Sequence, residues 1–192
     1  MLKYIEEVLN TLPKDWLDLT THRLDIYNEK LAKTQFLEQF ERLYGMNNAS
    51  AEALKELPTA FDYIRLGHPL SCLLEWVVAK LNNQNPDYVI SFSSSTIPVL
   101  AVLRTNSLKE RNTRILYTGE LPVCFSTEVL RSVYGYTFEL QKVGNVKETT
   151  TFDGSTVFMS EHHDFGNFDL QENIDFYINT DAQLGSILLV NG

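Results

Sequence analysis

Apolar positions along this chain recur first at helical spacing and then in short runs at strand spacing. Tyr4, Ile5, Val8, Leu9 and Leu12 fall on one side of a helix, and Pro13 stops that run. The spacing predicts a second helix from Asp25, a residue suited to the N-cap, to Gly45, with Tyr27, Leu31, Phe36, Leu37, Phe40, Leu43 and Tyr44 along it. Residues 46–50 read as a polar loop, Ser50 caps a short helix through Leu57, and Pro58 ends it. The clearest helix opens with Pro69 at its first position. Leu70, Leu73, Leu74, Val77, Val78 and Leu81 give it a continuous apolar face, and Asn82, Asn83 and Asn85-Pro86 close it.

Beyond Pro86 the pattern alternates. Tyr88–Phe92 reads as a strand, Thr96–Arg104 as a helix with Pro98 in its first turn, and Arg114–Tyr117 as a strand. Ser126–Tyr134 follows as a helix and Thr137–Leu140 as a strand. Short apolar strands alternating with helices predict a parallel sheet covered on both faces. Three more strands are expected at Thr156–Ser160, Phe176–Asn179 and Ser186–Val190, joined by segments too short for full helices, which leaves room for antiparallel pairing. The expected fold is therefore α/β, with a mostly parallel sheet, helices on both faces and a helical N-terminal arm. The arm is assigned to residues 1–60 and the α/β domain to 61–192, with a single domain overall as the alternative. The stripe of Tyr27, Leu31, Phe36 and Phe40 needs a partner surface, either the domain itself or a second subunit, and a homodimer is expected. The chain stops two residues after an apolar strand, as natural domains do and as a truncated longer protein would.

Composition narrows the function classes. The 192 residues are 44% hydrophobic, 11% aromatic and 21% charged, enough apolar material for a sizeable core. A net charge of −9 argues against general nucleic-acid binding, which needs clustered Lys and Arg, and against docking on anionic membranes. No window reaches the roughly 20 apolar residues of a membrane span, and Glu6 and Glu7 do not fit a signal peptide. Cys72 and Cys124 lack metal-type spacing, Cys72 reads as a buried free thiol, and a reducing cytoplasm is the expected compartment.

Several residues are candidates for chemistry. Ser93-Ser94-Ser95-Thr96 lies between a strand and a helix, where free backbone N–H groups and hydroxyls bind phosphate or carboxylate; the competing reading is a plain helix cap. Arg65, with Tyr63 two residues before it, forms a possible phosphate clamp ahead of the Pro69 helix. His68 is either the cap of that helix or an acid–base group, with the cap favoured. Glu161-His162-His163-Asp164 places imidazoles beside carboxylates, but neighbours on an extended chain point to opposite sides, so a solvated acidic loop is expected there and no metal. No Gly-x-Ser-x-Gly elbow surrounds the serines.

The stretch Tyr63-x-Arg65-x-Gly67-His68-Pro69, followed by Leu74-Glu75 and Ala79-Lys80-Leu81, resembles the opening of the large domain in the Cys/Met-metabolism class of pyridoxal-phosphate enzymes. The resemblance covers about 80 residues and implies a cofactor-phosphate site at Ser93, Ser94, Ser95 and Thr96. It also implies that Tyr63 and Arg65 act across a dimer interface. The chain departs from the class where the aldimine lysine belongs. Ile178–Gly185 holds no lysine, and the last lysine is Lys147. The expectation is a shortened or degenerate relative that binds a phosphorylated small molecule or anion without aldimine catalysis.

Ser94-Ser95-Thr96 and Thr118-Gly119-Glu120 are also similar to turns in sugar-phosphate isomerase-like domains, including the initiation-factor-2B relatives. That resemblance implies Glu120 as the carboxylate of an isomerase. A third reading is a dimerisation or interaction module without a ligand.

Overall fold

The helical beginning of the chain builds a core of its own. The computed structural model describes residues 1–17, 29–58, 68–161 and 166–191. It divides into two units, Met1–Val77 and Val78–Gly192. In the first unit, helices α1 (Leu2–Asn10), α2 (Glu29–Gly45), α3 (Ala51–Lys55) and the opening turns of α4 (Pro69–Leu81) carry the apolar stripes. Tyr4, Val8, Trp16, Phe36, Phe40, Leu54, Cys72, Leu73 and Trp76 are buried together there. The rings meet mainly edge to face, Phe40 on Trp76 and Tyr44 on Trp76 each at 5.3 Å between centroids, the geometry aromatic quadrupoles favour. Lys33 Nζ lies 2.6 Å from Glu75 Oε2, and Trp76 Nε1 donates to Glu41 Oε1 at 3.1 Å. Phe36 and Phe40 thus find their partner inside this unit and need no second subunit to cover them. Asp25 and Tyr27, and the Leu31 side chain, lie outside the described residues.

Helix α4 runs over the expected Pro69–Leu81, and the division between the units falls within it, after Val77. Its first half therefore belongs with the helical arm. Among the described residues no helix is long and apolar enough to cross a membrane.

The second unit is a six-stranded mixed sheet. The strands are β1 (Val89–Phe92), β2 (Thr113–Tyr117), β3 (Glu139–Lys142), β4 (Ser155–Glu161), β5 (Phe176–Asp181) and β6 (Gly185–Val190), in the order β1-β6-β5-β4-β2-β3. β2 pairs in parallel with β3 and with β4, and β4 with β5. β6 runs antiparallel to both β5 and β1. Residues alternate between faces along each strand. Leu116, Phe158, Tyr177 and Leu189 pack with Val78, Ala79, Phe168 and Ile174 on one face. Ile115, Val157, Met159, Ile178 and Leu188 pack against Val99, Val102 and Leu103 of helix α5 (Ile97–Leu108) on the other. Helices and loops cover both faces, as the strand pattern predicts.

Four expectations shift. β1 is not a parallel neighbour of β2; it sits on the outer side of β6. β6 pairs with β1 on one side and, through a tight hairpin, with β5 on the other. Asp181 Oδ1 accepts from the Gln183 and Leu184 N–H groups at 2.8 and 2.9 Å, and Gly185 takes φ +96°. The predicted Ser126–Tyr134 helix contains a π-helical turn, Val129–Val133, closed by Tyr134 N–H on Val129 O. β3 starts two residues late, because Arg131 engages Phe138, donating to its carbonyl at 3.0 Å and lying 4.9 Å over its ring. Helix α5 runs past Arg104 to Leu108; its polar tail is anchored by Asn106 Nδ2 donating to Thr113 Oγ1 at 3.0 Å.

Candidate functional site

Parallel strands place their carboxyl ends on one edge of a sheet, and loops leaving that edge in different directions open a crevice between neighbours. β2 and β4 are such neighbours. The chain leaves β2 toward β3 on one side, and leaves β4 toward β5 on the other. A cavity of about 340 Å³ lies at this place, lined from β2 by Thr118, from β4 by Phe158 and Ser160, and from β5 by Tyr177 and Asn179. The turn after β3 (Gly144-Asn145-Val146) and the segment Asn167-Phe168-Asp169 complete it.

The walls are held by their own hydrogen bonds. Asn145 Oδ1 accepts from Lys147 N–H at 2.9 Å, and Glu148 accepts from Asn145 Nδ2 and Gly144 N–H, so the turn after β3 is closed. Phe168 N–H donates to Asn82 Oδ1 at 2.9 Å. The Tyr177 hydroxyl accepts from Gln171 N–H and donates to Asp169 O at 3.3 Å. Burial pushes the Tyr177 phenol up to about 12, and the nearby Asp169 adds to that shift. This hydroxyl stays protonated at neutral pH. Asn179 differs from these groups. It is only 3% exposed, lines the cavity, and its Oδ1 has no hydrogen-bond partner among the described residues. A buried amide oxygen in that state costs about 1–3 kcal/mol, so it calls for an explanation. The floor of the cavity is a polar row, Thr118, Ser160 and Asn179, with Ser160 directly opposite Asn179 in the β4–β5 register.

The serine turn follows β1 on the same edge, with β6 between β1 and β5. Ser94 Oγ accepts from Thr96 N–H at 3.2 Å and from Ile97 N–H at 3.3 Å. Pro98 has no N–H, and Val99 and Leu100 donate to Thr96 O at 3.1 and 3.3 Å. Ser186 Oγ donates to Ser94 O at 2.6 Å. The first-turn donors of α5 are therefore engaged or absent, and the turn caps its own helix. The capping group is Ser94. Neither Ser93, Ser94, Ser95 nor Thr96 lines the cavity between β2, β4 and β5.

The remaining candidates separate. Tyr63 and Arg65 lie outside the described residues, as do His162, His163 and Asp164. His68 Nδ1 accepts from Leu70 N–H at 3.1 Å and His68 O from Cys72 N–H at 3.0 Å, the two bonds of a helix cap on α4. The Glu120 side chain is 87% exposed and paired with Lys142 Nζ at 2.8 Å, which draws its carboxyl below the usual carboxylate range. It does not line the cavity. Cys72 is buried and Cys124 exposed, both free thiols.

Sequence reasoning passed over Ser160, Asn179, Asn145 and Tyr177, and read Thr118 only as part of a turn. Their signal was present in a weak form, as a polar residue following an apolar run in Tyr117-Thr118, Met159-Ser160 and Ile178-Asn179. In comparisons with known proteins, the chain matches no protein-family model and no curated protein sequence.

Proposed function

We propose that this chain binds a small uncharged molecule in the cavity at the carboxyl ends of β2, β4 and β5. The observation that carries this reading is position: the cavity opens where the connections of adjacent parallel strands diverge, the place where open α/β sheets take up ligands. Its volume of about 340 Å³ is near the lower end of ordinary small-molecule sites. Aromatic side chains, hydroxyl and amide groups and the Asp169 carboxylate line it, and no Lys or Arg is among the described lining residues. A phosphorylated ligand would meet the negative charge of Asp169 there.

The lining favours binding over turnover. Among the described residues the lining holds no Cys, His or Lys; its carboxylate, Asp169, accepts from Gln171 Nε2, and the Tyr177 phenol is held protonated. An anion at the serine turn has less support, because the first-turn N–H groups of α5 are already engaged or absent. Pyridoxal phosphate has less support still, since no lysine is among the described lining residues.

The test is a thermal-shift titration with hypoxanthine, 1-methylindole, inorganic phosphate and pyridoxal phosphate, joined to amide chemical-shift mapping. At least one of the two neutral rings is expected to raise Tm and to shift the amides of Thr118, Ser160 and Asn179. A ligand at 100 times its Kd stabilises by about 2.7 kcal/mol, a shift of several degrees in a chain of this length. Stabilisation by pyridoxal phosphate alone would overturn the reading in favour of a cofactor-phosphate site.

A further inference from the structure

Resting on the cavity as the binding site, we infer that Asn179 selects the ligand, and that the ligand is a flat uncharged ring carrying a hydrogen-bond donor and an acceptor side by side, as the lactam edge of a nucleobase does. A carboxamide presents one acceptor and a pair of donors in one plane. Its natural complement is an edge with the same two groups in the opposite order, the pairing by which Asn reads a base. Asn179 stands on the central strand β5 with its side chain 3% exposed, lining the cavity, and its Oδ1 unpartnered among the described residues. Turning the carboxamide over only exchanges acceptor for donor at the same place. Either way, a buried polar group without a partner among the described residues stands at the wall of the cavity.

The neighbours define the rest of the ligand. Phe158 and Tyr177 are adjacent, with ring centroids 6.1 Å apart and planes tilted by 59°. Phe168 meets Tyr177 nearly edge-on, at 82°. All three line the cavity and offer apolar surface to a ring. The other polar walls are largely committed: Asn145 to Lys147 and Glu148, the Tyr177 hydroxyl to Gln171 and Asp169. The hydroxyl-bearing residues Thr118 and Ser160 complete the polar row beside Asn179. Among the described lining residues the charged group is the Asp169 carboxylate, which disfavours a phosphate, a carboxylate or the ribose phosphate of a nucleotide in the enclosed part of the site.

The arrangement also implies an opposition between stability and binding. An unpartnered buried oxygen destabilises the empty protein, and a nearly isosteric apolar side chain relieves that strain while removing the pairing group. The experiment uses the full chain, with hypoxanthine, which has the lactam edge, and 1-methylindole, which has the ring but no donor. Titration calorimetry gives affinities, and amide shifts at Thr118, Ser160 and Asn179 locate the site.

Wild type is expected to bind hypoxanthine at least about tenfold more tightly than 1-methylindole, the discrimination expected when a buried polar group is left unpaired. Asn179→Leu should erase that preference, keep 1-methylindole binding, and raise Tm. Equal affinities in wild type overturn the inference and leave the cavity as a binding site. So does an Asn179→Leu protein that keeps the preference or melts lower while still folded. If Asn179→Leu does not fold, the wild-type ratio decides alone. If neither probe shifts the three amides, the cavity reading fails and the inference fails with it.

Discussion

Cys72 shows how burial sets the chemistry of a single group. Its thiol is 1% exposed, packed among Leu73, Trp76 and Phe40, and burial, reinforced by the Glu75 carboxylate, pushes it up to about 12. The folded state therefore holds this proton more tightly than the unfolded chain does. Stability from that source is complete below about pH 9, where an unfolded thiol is still protonated, and is lost as pH rises toward about 12. Urea midpoints measured from pH 7.5 to 10.5 should fall, and the advantage of wild type over Cys72→Ala should shrink across that range. An advantage constant with pH would show that the thiol is not desolvated. Cys124, exposed, should react with a thiol reagent in the native state while Cys72 waits for unfolding. Burial keeps Cys72 inert in the native state.

At the scale of elements, the β5–β6 hairpin is where β1 joins the sheet. Its turn is made by Asp181 accepting two backbone N–H groups and by Gly185 at φ +96°. A Cβ at Gly185 would come within 2.1 Å of Phe92 O, at the end of β1, and would also crowd Ser93. Gly185 is thus needed twice, for its backbone angle and for the approach of β1 to β6. Gly185→Ala should cost about 1–3 kcal/mol and loosen the β1 edge first. Urea unfolding checks the magnitude, and faster amide exchange in Val89–Phe92 than in β4 checks the location. A stability unchanged from wild type would mean that β1 is not seated as described.

For the whole molecule, the boundary between units matters more than the number of helices. Cys72, Leu73 and Trp76 lie in the same core as Tyr4, Phe36, Phe40 and Leu54. A chain cut to residues 61–192 would keep those α4 side chains and lose the surfaces they are buried against. Burying a large apolar side chain is worth about 1.5–3 kcal/mol, so the exposed group amounts to a substantial penalty. That fragment is expected to aggregate, whereas one begun at Val78 loses the penalty but also most of α4. Light scattering on the 61–192 fragment tests this. A monodisperse, cooperatively melting 61–192 fragment would place the boundary nearer residue 60.

Neighbouring residues are enough to specify the local layer of this protein. Periodicity identified α1, α4 and the apolar strands, because a helix face or a strand run is written in neighbouring residues. Ser50 and His68 act as the caps their positions predict, since a cap needs only the next few N–H groups. The α/β class followed from the alternation of elements. The tertiary structure alone decided the strand order, because β1 and β6 pair across almost the whole second unit. It also decided the cavity. Thr118, Ser160 and Asn179 are far apart in the chain and meet only because parallel pairing aligns the carboxyl ends of their strands. The serine turn stood out in sequence as four clustered hydroxyl residues, yet its bonds turned inward to its own helix. Asn179 carried no motif, and only its burial without a partner marks it. A hydrogen bond left unmade is a property of three-dimensional surroundings, and no spacing of residues along a chain records it.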